Sequence, residues 1–179
     1  MKAFRVFPAF LAVLLLSTTL LAQDVHTDFD HSANFSQFHT YSWAKVHSDN
    51  PLFQQRIKND VDAALQKLGL REVDSGGDLS VAAVGATHNQ QEYQTFYNGF
   101  GGWGWGGWGD TTATTTPINY RIGTLVVDLY KTDTKRLVWR GTASDTLSDD
   151  PSKNEKKLEE AVSKMIAPDK FPQPLGKES

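Results

Sequence analysis

The stretch that decides the fold is Tyr120-Arg121-Ile122-Gly123-Thr124-Leu125-Val126-Val127-Asp128-Leu129-Tyr130, answered by Arg136-Leu137-Val138-Trp139-Arg140-Gly141-Thr142-Ala143. Both runs are rich in residues that suit a pleated surface, and only a polar turn around Thr132-Asp133-Thr134 separates them. That combination predicts a β-hairpin with one arm longer than usual. Asp128 interrupts the apolar arm, and Arg121 and Arg140 sit on the adjoining arms. A cross-strand ion pair is the expected use of these charges, not acid–base catalysis.

Working outward, Asp149-Asp150-Pro151 opens a helix whose apolar face is Leu158, Ala161, Val162, Met165 and Ile166. Ser152 with Glu155 offers a competing capping box, so the start is defined only to a residue or so. Pro168, Pro172 and Pro174 forbid continuation and leave 172–179 as a loose tail. Upstream, Asp78 to Val84 reads as a strand with Leu79, Val81 and Ala83 on one side. Before it, Asn50 and Pro51 begin a helix with Phe53, Ile57, Val61, Ala64, Leu65 and Leu68 inward, Gln54, Lys58, Asp62 and Gln66 outward, and Gly69 at its end. Leu70–Val73 is a short extended exit. Near the start, Val25, Thr27 and Phe29 alternate with His26, Asp28 and Asp30, the period of a half-buried strand. Thr40-Tyr41-Ser42-Trp43 reads as the continuation or partner of that strand.

Two striped helices need a surface to cover. The expected fold is therefore α+β: an antiparallel sheet of about five strands with both helices on one face, in the order β-β-α-β-(long Gly/Trp loop)-β-β-α. Trp43, Leu65, Val127 and Trp139 are expected in the core or at its rim.

The loop is the least ordinary segment. Seven aromatics fall between Tyr93 and Trp108, and seven of the chain's 14 glycines between Gly99 and Gly109. A threonine run and Pro117 follow. The reading places a Gly/Trp/Thr-rich insertion at 89–118, without helical or strand period, inside a single domain spanning 23–171. Tyr97, Phe100, Trp103, Trp105 and Trp108 are the candidate binding residues, because broad rings with a polar handle suit glycans, membrane interfaces and protein partners. No Lys or Arg lies between Tyr93 and Thr116, which argues against an anionic polymer.

The N-terminal residues have another purpose. Lys2 and Arg5 precede an apolar run from Val6 to Leu16, and Ala22 offers a small residue for cleavage. This is the layout of a secretory signal peptide, 1–22. Removing it leaves 179 − 22 = 157 residues and a net charge of (18 − 2) − 21 = −5. The expected location is the periplasm or outside the cell, with no transmembrane segment after cleavage.

The residues from Phe35 to Trp43 resemble the opening motif of the bacterial envelope family called domain of unknown function 4136. Leu68-Gly69-Leu70, Gly77-Asp78-Leu79-Ser80-Val81, Gly123 to Leu129 and Leu137 to Ala143 follow in that family's order. The resemblance covers about Val25 to Phe171. It implies an exported α+β domain and no established activity. Lipid anchoring, implied for many members, does not carry over to a chain with no cysteine.

For chemistry, His26, Asp28 and Asp30, with His31 beside them, offer alternate imidazole and carboxylate groups that could ligate a divalent cation. A solvated strand face produces the same pattern. No Gly-x-Ser-x-Gly elbow is present, Ser152 and Ser163 have lysines nearby only on a solvated helix, and His39, His47 and His88 have no partner defined by spacing. The glycines around Trp103 lack the Lys-Ser/Thr of a phosphate loop. The net charge of −3 carries no clustered basic face, so nucleic acid is excluded. The expectation is a non-catalytic exported module without cofactor, meeting an envelope protein, glycan or membrane surface. The alternative is a metal-dependent or hydrolytic enzyme using the His26/Asp28/Asp30 face.

Overall fold

The computed structural model describes residues 23–98 and 112–172. Residues 1–22, read as a signal segment, together with Phe100, Trp103, Trp105, Trp108 and residues 173–179, lie outside the described residues.

The elements are β1 (Asp24–Phe29), β2 (Thr40–Ser48), α1 (Pro51–Lys67), β3 (Arg71–Glu72), β4 (Leu79–Asn98), β5 (Thr112–Lys131), β6 (Arg136–Thr146) and α2 (Pro151–Met165). A 3₁₀ turn at Phe35–Gln37 joins β1 to β2. The six strands form one sheet in the order β1-β6-β5-β4-β2-β3. The hairpin read from the sequence is its centre: β5 and β6 pair antiparallel with Asp128 opposite Arg140.

Three expectations are corrected. The sheet is mixed, because β2 runs parallel to both β4 and β3. A strand followed by a helix that returns along the sheet arrives parallel to where it started, so α1 imposes that direction. The sixth strand is the short exit after Gly69, where Arg71 pairs with Thr40. Nor is β2 the neighbour of β1: β6, β5 and β4 lie between them. The polar loop at Ser32–Ser36 looks like a turn locally but spans the sheet.

One face of the sheet is sealed. Leu79, Val81, Ala83, Leu125, Val127, Leu129, Trp139 and Ala143 alternate along three strands and are buried. Ile57, Val61 and Leu65 of α1 and Leu158, Val162 and Met165 of α2 are buried with them in the same cluster. Leu65, Val127 and Trp139 are core as expected, and Trp43 packs at its rim. Phe171, beyond α2, is buried against Phe35 and Trp139 with ring centroids 5.8 and 5.4 Å away. Both helices start with an Asx cap followed by proline. Asn50 accepts from the backbone N–H of Leu52 and Phe53, and Asp150 accepts from that of Ser152, which settles the start of α2. At the far end of α1, Gly69 takes φ +91°.

Close approach demands glycine at two places. A Cβ on Gly77 would lie 2.5 Å from the carbonyl carbon of Tyr41. A Cβ on Gly141 would lie 2.3 Å from Met165 Cγ, where α2 rests on β6. Among the described residues, no helix is long and apolar enough to cross a membrane.

Candidate functional site

β2 ends at Ser48, opposite Gly85, and β6 ends at Thr146, opposite Ile122. β4 and β5 do not end there. They pair without a register shift out to Asn98 opposite Thr112. From Asn89 to Asn98, at about 3.3 Å per residue, a two-stranded ribbon leaves the sheet for about 30 Å. Ala86 through Gln91 are exposed on both faces.

Regular pairing thus continues well into the stretch from 89 to 118 that was expected to lack strand period. Thr, Tyr and Phe supply the β propensity on both arms, and the conformationally costly glycines are confined to 99–109. Tyr97 lies in β4, in register with Ala113. The four other candidate rings belong to the segment that joins the arms.

The phase of the ladder is set at its inner end, where the Thr132 N–H donates to the Asp78 carbonyl at 3.0 Å. Counting outward along the unshifted register, even-numbered β4 residues bond to β5, and odd-numbered ones turn their backbone groups to the outer edge. Pro117 stands opposite Tyr93, so its missing N–H falls on the outer edge of β5, the one place a strand tolerates proline.

At the ribbon's base a cleft of about 60 Å³ opens between the sheet and the first turns of both helices. Phe53, Gly85, Leu125, Leu147, Asn154 and Leu158 are among its lining residues. It has room for a few waters, far short of a small-molecule site. Added Cβ atoms on Gly85 and Gly123 would lie 2.7 Å from Ile57 Cδ1 and 2.8 Å from Leu147 Cδ2, so close packing over two glycines keeps the space small.

The strand face with alternate His and Asp does not converge. His26 Nε2 pairs with Asp24 at 2.8 Å, and Asp28 accepts from the Phe29 N–H at 2.9 Å. Asp30 lies past the end of β1, where it accepts from Ser32 and is held by Arg136. His31 packs on the Phe29 ring at 4.3 Å, and only the backbone N–H of His39 is engaged, by Asp78. Among the described residues, no three His, Asp or Glu side chains are grouped to hold a metal ion.

Two other charged clusters are well built. Arg140 grips Asp128 through Nε at 2.6 Å and Nη2 at 2.7 Å, and Tyr130 donates to the same carboxylate at 3.1 Å. This is the anticipated cross-strand pair, and Asp128 holds the guanidinium pKa above its ordinary value. Burial, then the hydrogen bond to Asp128, raises the Tyr130 hydroxyl. Arg121 pairs instead with Asp149 at 3.1 Å.

The second cluster was not expected. Asp62, read as an outward helix position, is buried and accepts from Tyr41 at 2.9 Å, Trp43 Nε1 at 2.8 Å and Lys58 at 2.6 Å. Lys58 also reaches Glu72 at 2.8 Å and lies 5.4 Å from the centroid of the Trp43 ring. Burial, reinforced by Asp62, pushes the Tyr41 hydroxyl well above its usual range. Burial pulls the Lys58 ammonium down, but the bonds to Asp62 and Glu72 outweigh it and raise its pKa. The signal was present in Tyr41-Ser42-Trp43: two aromatic donors entering a core together require a buried acceptor. This arrangement pins α1 to β2 and β3 and leaves no group poised for chemistry.

The sequence profile described as Domain of unknown function (DUF4136) matches residues 25–173. No curated protein matches the chain. Among solved structures, a PDZ domain protein from Parabacteroides distasonis aligns with a TM-score of 0.56 at 14% identity, over 84% of this chain and 36% of that one. A DUF4136 family protein from Bacteroides thetaiotaomicron aligns with a TM-score of 0.51 at 15% identity, over 80% of this chain and 94% of its own. PelC from Paraburkholderia phytofirmans, a dodecamer, aligns at 0.50 and 12% identity, over 85% and 100%. At such identities the likeness is one of fold.

Proposed function

The chain belongs to the DUF4136 family, and from that premise we propose that it is an exported, non-catalytic binding module of the cell envelope. The sheet and helices are its scaffold. The β4–β5 ribbon is the arm, and the aromatic, glycine-rich segment between its strands is the contact surface for a glycan, a membrane surface or an envelope protein. The observation that carries this reading is the ribbon itself: two paired strands reach about 30 Å beyond the last residues of both β2 and β6. An isolated two-stranded ribbon is marginal in water, so a reach of that length is useful chiefly for what stands at its end. There the sequence concentrates Tyr97, Phe100, Trp103, Trp105 and Trp108. Export is supported by the layout of residues 1–22, with cleavage placed after Ala22.

Deleting residues 99–109 tests the reading. The deleted protein should keep its melting transition and lose co-sedimentation with cell-wall glycan, lipid vesicles or envelope extract, whichever the intact protein binds. Equal binding by both forms, or by neither, refutes the tip as the contact surface. Mass spectrometry of the exported protein should find Gln23 at its N-terminus.

A further inference from the structure

The helices seal one face of the sheet. On the other, Asp28, Arg140, Asp128, Ala82 and Lys45 stand side by side in one row across β1, β6, β5, β4 and β2. The next row is His26, Thr142, Val126, Val84 and His47. Its centre is apolar: Val84 is 39% exposed although it lies in a central strand, and Val126 beside it is half-buried. The polar groups in the middle of this face are already satisfied, because Arg140 grips Asp128 and the Thr124 and Ser144 hydroxyls bond at 3.1 Å. Covering them strands no partner. The unpaired charges stand at opposite margins. Asp28 on β1 and Lys45 on β2 are both exposed, and among the described residues neither makes an ion pair.

We infer that a second copy of the chain covers this face, about a two-fold axis running along β5. β1 and β2 are each two strands from β5. That axis therefore lays the β1 margin of one copy over the β2 margin of the other and keeps the rows level. Asp28 then faces Lys45 at both margins, His26 faces His47, Val84 faces Thr142, and Val126 meets its own counterpart. Aligned sheets cross at about 30°, which shifts facing rows by about 5 Å at two strands from the axis, within reach of a lysine side chain. The charges select this arrangement over the other aligned one. A two-fold axis across the strands would stack β1 on β1 and set Asp28 against Asp24. Five strands about 4.8 Å apart and three rows about 6.7 Å apart give about 500 Å² per copy. Both copies together bury about 1,000 Å², the lower limit for a specific interface, and the contact is isologous. The rotation also points both ribbons the same way, so one dimer presents two tips to one surface. The pairing does not depend on what the tip binds.

Sedimentation equilibrium of residues 23–179 tests the pairing. The interface is small, so the range runs from about 1 μM to about 1 mM. A monomer–dimer equilibrium is expected. Val84→Glu puts a charge at the centre of the contact, on a position already exposed, and should raise the dissociation constant at least about tenfold. Lys45→Glu should weaken the dimer about three- to tenfold by facing Asp28 with a like charge, and adding Asp28→Lys should restore it. Unchanged circular dichroism and melting show that each variant still folds. Deleting residues 99–109 should leave the dimer intact even where surface binding is lost. A monomer at every concentration overturns the inference. So does a dimer that tolerates Val84→Glu, that the charge swap fails to restore, or that disappears with residues 99–109.

Discussion

At the scale of single residues, two aspartates on α1 behave in opposite ways. Asp60 is half-buried at the seam with α2. Burial and the charges of Glu159 and Glu155 push its pKa up to about 6, with Arg56 pulling the other way. In the unfolded chain it ionises near the ordinary value of about 4. Between those values the unfolded state has released a proton that the native state keeps, so stability falls as pH rises through the window and stays lower above it. Asp60→Asn should flatten that slope and stabilise the protein at pH 7 by about 0.5–1 kcal/mol, allowing for solvent screening. Urea midpoints at pH 4.5 and 7 read the difference, and an unchanged slope would refute it. Asp62 instead gathers three donors. Asp62→Ala strands Tyr41, Trp43 and Lys58 and should cost about 2–4 kcal/mol, whereas Asp62→Asn keeps an acceptor and should cost less than half as much. A helical wheel treats these two residues alike because both are charged. What separates them lies on other elements, Tyr41 and Trp43 for one and Glu155 and Glu159 for the other, so no local pattern could tell them apart.

At the scale of elements, what was legible was what local chemistry determines. Asn50 with Pro51 and Asp150 with Pro151 mark helix starts through side-chain acceptors and a pre-set φ, both local. The β5–β6 hairpin is likewise a matter of two runs and a turn. The parallel seating of β2 on β4 is not local, because its determinants are 35 residues apart: the Gly77 N–H donates to Ser42 Oγ at 3.3 Å. Asp78 closes the same crossing by accepting from the backbone N–H groups of His39 and Thr40 and from the Thr40 hydroxyl. Burial alone would raise the Asp78 pKa, but these three bonds outweigh it and hold the carboxyl below its usual value. Gly77 permits the approach, since an added Cβ would find only unyielding backbone at 2.5, 2.7 and 2.8 Å. Gly77→Ala should therefore cost about 2–3 kcal/mol, and hydrogen exchange should quicken first in β2 and β4. Gly76→Ala is the contrast: nothing lies within 4 Å of its Cβ, and its cost comes from φ +67° alone.

At the scale of the molecule, stability and reach are separate. Every buried apolar residue of the described core lies at or before Ala83 or at or after Leu125. At the ribbon's base the Leu147 N–H donates to the Arg121 carbonyl at 2.7 Å. Glycine and tryptophan crowding made the whole stretch read as irregular, yet its flanks are strands, because an antiparallel partner fixes what composition leaves open. If the body holds itself together, the ribbon is removable. Replacing residues 91–119 with Asn-Gly joins Gln90 to its register partner Tyr120 through a tight turn that suits the strand twist. The shortened protein should melt within about 4 °C of the full one, since at most about 1 kcal/mol of ribbon-to-body contact is lost. It should also retain the slow hydrogen exchange of Val81, Val127 and Trp139. A loss of cooperativity would mean that the arm and body fold as one unit, and the ribbon would then be structure first and contact surface second.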